Sequence, residues 1–308
     1  MADISAKVVM ELRKKTGCGM MECKKALVTA NGDFDEAIKI LREKGLAVAA
    51  KKADRVAADG IVDVYTANGC TAIIEVNTET DFVAKNASFK EFVHGILVTI
   101  VETKPADVAA LLATKFAGKE TTVEDELKQE IFTIGENMSI RRFEVIEGVT
   151  GTYIHGGGSA GVVAKFEVEG GVENTEGFAD YAKNVCMQIA AMNPLYVCKC
   201  CVPESVIQGE KDILLAQIKN DPKLANKPDQ IIEKMVTGRI EKYYDTNCLV
   251  HQQYVKEENM TVQQYTDNTA KELGGAIKVV SFVKYEKGEG IEKREDDFAS
   301  EIEKLVKG

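Results

Sequence analysis

The chain has 308 residues, more than one hydrophobic core usually serves, so length alone predicts two or more domains. It has no Trp, no apolar run of membrane-spanning length, and a start (Met1, Ala2, Asp3) without the order of a secretory or transit signal, which predicts a cytoplasmic protein. A net charge of -10 argues against broad nucleic-acid binding, and the eight cysteines, spread through a large chain with no export signal, are expected to be reduced thiols.

Residues 1–55 carry 12 basic and 8 acidic side chains, and the remainder carries 27 basic against 41 acidic. A basic head on an acidic body suits electrostatic docking on an acidic protein face, and it equally suits a merely solvated surface. Within that head, Val8, Val9 and Leu12 recur at helical spacing after Ser5, and the run stops at Gly17. A second helix is expected from Met20 to Ala30, ended by Asn31-Gly32. A third opens on the Asp33…Glu36 capping arrangement and is expected to close at Gly45. Three short helices make a very small core, so the head is expected to lean on something else. Residues 46–58, rich in Ala and Lys, read as a helical connector.

From Gly60 the period changes from helix to strand. Ile61–Tyr65, the Asn68-Gly69 turn and Thr71–Val76 predict a β-hairpin, because Asn-Gly suits a turn that needs positive φ. A helix with Phe89, Phe92, Val93, Ile96, Leu97 and Ile100 on one face follows. Then come a second helix near 122–134 and a strand at 140–146. The order repeats: strands at 151–154 and 161–168, a helix near 175–191 and a closing strand at 277–285. Two β-β-helix-β units in tandem predict a duplicated α+β core. Interrupting the second unit, 194–260 reads as a projecting pair of antiparallel helices, 204–219 and 228–245. The tail, 291–306, reads as an acidic amphipathic helix, either a docking arm or a cap.

Several constellations could carry chemistry. His155–Gly161 contains a literal GxGxxG, but strand-like sequence follows it where a dinucleotide site needs a helix, so a flexible hairpin tip is the expectation. No phosphate-binding GxxxxGK[ST] loop is present, and His94, His155 and His251 sit in no nucleophile motif, so no catalysis and no cofactor are expected. Cys198 and Cys201 have CxxC spacing, with Cys248 or His251 as further donors. The second pair lacks the usual close spacing, so neither a zinc nor a redox protein is the favoured reading. Met20 and Met21 adjoin at a helix start near Arg13. Neighbours on a helix diverge by about 100°, so both can hardly be core, and an exposed Met beside Arg is an adaptable contact pair. The loop Asn77–Lys85 delivers Phe82 beside Asp81. From the residues alone, Asp81 as a cap with Phe82 stapled to the core competes with a ring presented outward.

The segments Leu12-Arg13, Thr16-Gly17-Cys18-Gly19-Met20-Met21-Glu22-Cys23-Lys24-Lys25-Ala26-Leu27 and Thr80-Asp81-Phe82-Val83-Ala84-Lys85 resemble the two signatures of the elongation factor Ts family. Gly135-Glu136-Asn137 with Arg141-Arg142, the Tyr153-x-His155-Gly156 corner, and Gly288-Glu289-Gly290-Ile291-Glu292-Lys293 extend the likeness in order along nearly the whole chain; 194–260 carries it least. The resemblance implies an α+β protein with four parts: a ubiquitin-associated-like helical module at 1–55, a core N-subdomain at 56–147, a core C-subdomain at 148–286 carrying the helical-hairpin insertion, and a C-terminal helical module at 287–308. It implies a non-enzymatic exchange factor that releases GDP from elongation factor Tu. Arg13, Met20 and Met21 would grip a helix of the partner's nucleotide domain. Asp81 and Phe82 would enter a cleft beside GDP and its magnesium, Thr80 and Val83 would bind the partner beside them, and His155 with Gly156 would touch nearby. Run Gly156-Gly157-Gly158-Ser159 departs from the family pattern and bears on the reach of His155. A general ubiquitin-associated-like scaffold would leave the Thr-Asp-Phe loop unexplained, and self-association through 194–260 stays open.

Overall fold

The computed structural model describes residues 4–221, 224 and 227–292. Its first element, α1 (Ala6–Thr16), is capped by Ser5, whose hydroxyl accepts from the Val8 N–H, and is ended by Gly17 at φ 69°. Helix α2 covers Met20–Thr29, and α3 covers Phe34–Lys52, where the Asp33 carboxylate accepts from the Glu36 N–H as the sequence predicts. Val9, Leu12, Cys23, Leu27, Ala37 and Leu41 interlock as the head's core. The expected stop at Gly45 is corrected, because α3 runs on to Lys52. Gly45 is buried with its missing side chain facing Phe132 at 3.6 Å. Packing there offsets the roughly 1 kcal/mol that glycine costs in a helix interior. The first half of the expected connector, 46–52, is therefore the end of α3, and 53–58 follow as turn and extended chain rather than helix.

Six strands among the described residues form two antiparallel sheets with one plan. Strands β1 (Asp59–Ala67), β2 (Cys70–Thr78) and β3 (Met138–Glu147) pair in the order β1-β2-β3. Asn68 and Gly69, both at positive φ, make the tight turn that brings Ala67 opposite Cys70. Between β2 and β3 lie α4 (Asp81–Lys85), α5 (Ala87–Thr103), α6 (Val108–Ala113) and α7 (Val123–Ile134). The second sheet joins β4 (Val149–His155) to β5 (Ala160–Glu169) and β5 to the last strand. After β5 come α8 (Glu176–Met192), α9 (Glu204–Asn220), α10 (Asp229–Asn247), α11 (Val262–Leu273) and β6 (Ala276–Glu286).

The duplication reaches fine detail. The β2–β3 register shifts between Glu75 and Val76, and the β5–β6 register shifts at the same place along its central strand, between Lys165 and Phe166. Helices α7 and α11 each begin in a Thr capping box, at Thr122 and Thr261, and each end at a left-handed glycine, Gly135 and Gly274. Periodicity left both α6 and α11 unassigned. The first is a single short apolar run. The second is polar on most positions and buries chiefly Val262, Thr266 and Thr269.

Strand alternation builds the layers. Ala72, Ile74 and Val76 of β2 face α5 and α7 with Phe89, Ile96 and Leu127, while Ile73 faces the other way. Val162, Ala164 and Phe166 of β5 likewise meet α8 at Phe178 and Ile189, while Val163 faces back. Between the sheets, Val62, Ile73, Val163 and Tyr285 form a thin core, and the Thr71 and Thr150 hydroxyls bond at 2.6 Å. Both faces of each central strand are therefore covered. The head packs against this core through α7: Phe132 joins its apolar cluster, and Gln129 Nε2 donates to the Thr16 carbonyl at 3.3 Å.

The insertion is a helical pair as expected, with α9 and α10 sharing Ile218, Val236 and Ile240. At its neck, Tyr196 and Cys248 form an isolated bridge. One cysteine expectation is corrected. Cys198 and Cys200 are joined as a disulfide, since a short 3-10 turn at Lys199–Cys201 brings their Cα atoms to 5.4 Å, inside the usual range for a bridge. The remaining cysteines are free thiols, all buried except Cys201. The expected tail helix at 291–306 lies, from residue 293 on, outside the described residues.

Candidate functional site

Phe82 is 81% exposed, which overturns the staple alternative: the ring is not tucked against its own domain. The side chain of Asp81 does not cap the helix either. Thr80 occupies the cap position of α4, and the Asp81 carboxylate instead accepts from Lys85 Nζ one turn along, at 2.5 Å. That hydrogen bond, followed by the charges of Lys85 and Lys287, holds the Asp81 pKa below the usual carboxylate range and raises that of Lys85. Val83, by contrast, is buried in the core of the first unit. It fixes the loop from below and presents no surface of its own.

The loop is held by a segment more than 50 residues away. Glu136 accepts from the Thr80 N–H at 3.0 Å and from the Thr80 hydroxyl at 2.7 Å. The Asn137 N–H donates to Glu79 at 2.6 Å, and the Asn137 amide donates to the Arg55 carbonyl at 2.8 Å. Gly135-Glu136-Asn137 thus works as a bracket. Its backbone direction is set where Gly135, in the left-handed region, ends α7.

His155 is exposed at the end of β4, and its Nδ1 lies 3.1 Å from the Tyr153 hydroxyl. The segment is a hairpin tip as expected, and its turn is closed by hydrogen bonds. The N–H groups of Gly158 and Ser159 both donate to the His155 carbonyl at 3.0 Å, and the Gly158 carbonyl accepts from the Val62 N–H at 2.8 Å. Gly156, Gly157 and Gly158 all have positive φ, and a Cβ on Gly158 would lie 2.2 Å from Ile61 Cγ1. Glycine is required here because the turn presses on the neighbouring sheet. With strands on both sides, the GxGxxG reading fails as expected.

Lys287 joins these two features. Its N–H donates to the Ser159 carbonyl at 3.0 Å, its amine pairs with Asp59, and its charge is felt by Asp81. Sequence reasoning missed Lys287 because its partners lie far away in the chain. Close by, fully buried Glu75 accepts from Arg142 at 2.7 Å, Arg141 at 3.0 Å and the Gly288 N–H at 2.7 Å. Burial would raise its pKa, but those donors, with Asn77, outweigh it, so the carboxyl sits below its ordinary value. Arg142 also lies 4.1 Å from the Tyr285 ring centroid and reaches Glu289 at 2.9 Å, which ties the segment after β6 to the first sheet.

On the head, Arg13 is exposed, Met20 is 39% exposed and Met21 is 60% exposed. They flank the turn at Thr16 and Gly17 that packs on Gln129 and Thr133 of α7. Lys287 therefore links the strand pair that leads to the Phe82 loop, through Asp59, with the His155 corner, through Ser159, while the methionine pair stands apart on α2.

This arrangement defines an α+β protein that carries an exposed aromatic on a braced turn. The family model described as Elongation factor TS matches residues 79–289. Proteins described as Elongation factor Ts are similar over nearly the whole length. The one from Syntrophotalea carbinolica is 44% identical over 307 residues, covering 99% of each chain. That of Clostridium kluyveri is 45% identical over 311 residues, again covering 99% of each. That of Clostridium botulinum is 47% identical over 308 residues, covering 98% of this chain and 99% of its own. The chain belongs to the elongation factor Ts family, and with it to the protein factors of translation elongation. Among the described residues, no helix is long and apolar enough to cross a membrane.

Proposed function

We propose that this chain binds elongation factor Tu and promotes release of GDP, so that GTP can enter. The observation that carries the reading is Phe82: a large apolar ring at 81% exposure, on a turn whose neighbours Thr80 and Val83 are pinned by Glu136 and by the core. Exposing such a ring gains nothing for the isolated chain, and burying it in a partner's cleft yields on the order of 2 kcal/mol.

Bound GDP is held by phosphate-cradling amides and by a magnesium ion that demands near-octahedral coordination. An inserted ring that shifts those groups slightly weakens the nucleotide without any covalent step. Asp81, kept ionised, brings negative charge to the same place, where it competes for cationic or N–H groups of the phosphate site. His155, exposed at the corner whose Ser159 carbonyl accepts from the Lys287 N–H, adds a second contact. Arg13, Met20 and Met21 hold the partner's nucleotide domain from the basic head, which we take as a ubiquitin-associated-like docking module spanning 1–55. The core subdomains at 56–147 and 148–286 carry the loop and the corner.

By linkage, the factor by which this chain weakens GDP equals the factor by which GDP weakens the complex, so exchange is reversible and excess GTP drives it forward. The test is release of fluorescent GDP from elongation factor Tu, followed with and without this protein. Acceleration at substoichiometric amounts is expected, and an unchanged rate would sink the proposal.

A further inference from the structure

Cys198, Cys200 and Cys201 place three sulfur atoms within 4.8 Å of one another, the only group of three or more potential ligands found among the described residues. Cys201 Sγ stands 2.9 Å from Cys198 Sγ. The 3-10 turn that carries them does not hang free. The Leu249 N–H donates to the Tyr196 carbonyl at 2.8 Å and the Val250 N–H donates to the Val197 carbonyl at 3.0 Å, so the loop is clamped at the insertion's neck before the cysteines begin. Lys199, between them, turns to the other leg, where it pairs with Glu241 and lies over the Tyr244 ring.

Three sulfurs gathered this way have few uses. Around a tetrahedral zinc ion with bonds of about 2.3 Å, thiolates stand about 3.8 Å apart, so only small side-chain rotations separate the observed cluster from a coordinating one. We infer that, when reduced, Cys198, Cys200 and Cys201 form a three-thiolate site for a soft d10 cation such as Zn2+, with water in the fourth position. Thiolate softness selects such ions over Mg2+ or Ca2+, and partial exposure of the cluster lets the ion enter and leave. A cellular thiol reductant supplies the two electrons and two protons that convert the disulfide to two thiols, and binding of the ion then releases the three thiol protons to solvent. Bound metal would lock the turn between Val197 and α9, at the root of the helical pair.

The test uses the full chain, purified with a non-thiol reductant, loaded with Zn2+ and titrated against a chromophoric chelator. One zinc ion per chain is expected, and Co2+ in its place should give a thiolate charge-transfer band. Changing an outer partner of a metal site costs 10–100-fold in affinity, so removing a ligand as Cys198→Ser, Cys200→Ser or Cys201→Ser should cost at least about 100-fold. Cys201 is exposed, so its variant should keep the wild-type circular dichroism. Reduced protein that holds no zinc overturns the site, as does a triple Ser variant that still holds it. Alkylation at harvest that finds the Cys198–Cys200 disulfide, with no zinc uptake after reduction, would assign the cluster to redox chemistry instead.

Discussion

Glu136 and Thr80 are joined twice, carboxylate to amide at 3.0 Å and carboxylate to hydroxyl at 2.7 Å, across 56 positions of sequence. Hydrogen bonds to a charged acceptor contribute about 1.5–3 kcal/mol each, enough to fix the start of α4 in one orientation. Glu136→Ala should therefore loosen the Phe82 turn without unfolding the core. Amide exchange at residues 80–85 is expected to speed up while α5 keeps its protection. Stimulated GDP release should fall several-fold, with Glu136→Gln intermediate. Unaltered exchange at 80–85 would mean that the bracket does not hold the loop.

Phe82→Ala separates function from stability. A ring at 81% exposure contributes little to folding, so the unfolding free energy from urea titration should change by less than about 0.5 kcal/mol. Loss of about 2 kcal/mol of transferred burial corresponds to about a 30-fold slower release of fluorescent GDP. Normal release by a folded variant would remove the ring from the mechanism.

Much of the fold could be read from the chain because its signals are local. Asn68-Gly69 marked the first hairpin, Ser5 and Asp33 marked helix starts, and repetition of the strand-strand-helix order marked the duplication. Gly45 misled because a glycine near a helix end signals a stop only when no distant residue packs on it, and Phe132 is 87 positions away. The site was legible where a residue breaks an expectation, as adjacent Met20 and Met21 do. It was illegible where its function is to hold others: Glu136, Lys287 and Glu75 are ordinary charged residues until the fold brings their partners near.

The methionine pair gives a binding prediction that the loop does not. Together Met20→Ala and Met21→Ala remove flexible apolar area from an exposed helix start, and contacts of this kind cost about 1–2 kcal/mol when truncated. Calorimetry with elongation factor Tu should show about 10-fold weaker association. At saturating concentrations of the variant the rate of GDP release should recover. Unchanged affinity would detach the head from docking.

Glu75→Gln tests the latch between the first sheet and the segment after β6. The carboxylate is fully buried and accepts from two arginines and a backbone N–H, so neutralising it leaves two guanidinium groups short of their partner. Breaking such a pair costs about 3 kcal/mol, readable as a fall in the urea midpoint. The sign with pH follows from the lowered pKa. Stability from this group is fully present above the ordinary glutamate range, near 4.3, and is lost as pH falls through the folded-state value below it. The difference between wild type and variant should accordingly be constant from pH 7 to about 5 and shrink below that.

Neighbouring glycines of the His155 corner should respond differently to the same substitution. Gly157 has φ 67° and open space where a Cβ would stand, so Gly157→Ala bears only the left-handed cost, about 1–2 kcal/mol. Gly158 has φ 106°, and its Cβ would fall 2.2 Å from Ile61 Cγ1 and 3.2 Å from the Val62 carbonyl oxygen, so Gly158→Ala must also push the turn off β1. That displacement breaks the bond between Val62 and Gly158 and strains the Ser159 contact that holds the backbone of Lys287, whose amine pairs with Asp59. The second variant should therefore be less stable than the first by at least about 1 kcal/mol and should release GDP more slowly. Equal stability and equal activity in the two variants would show that the corner floats free of the first sheet.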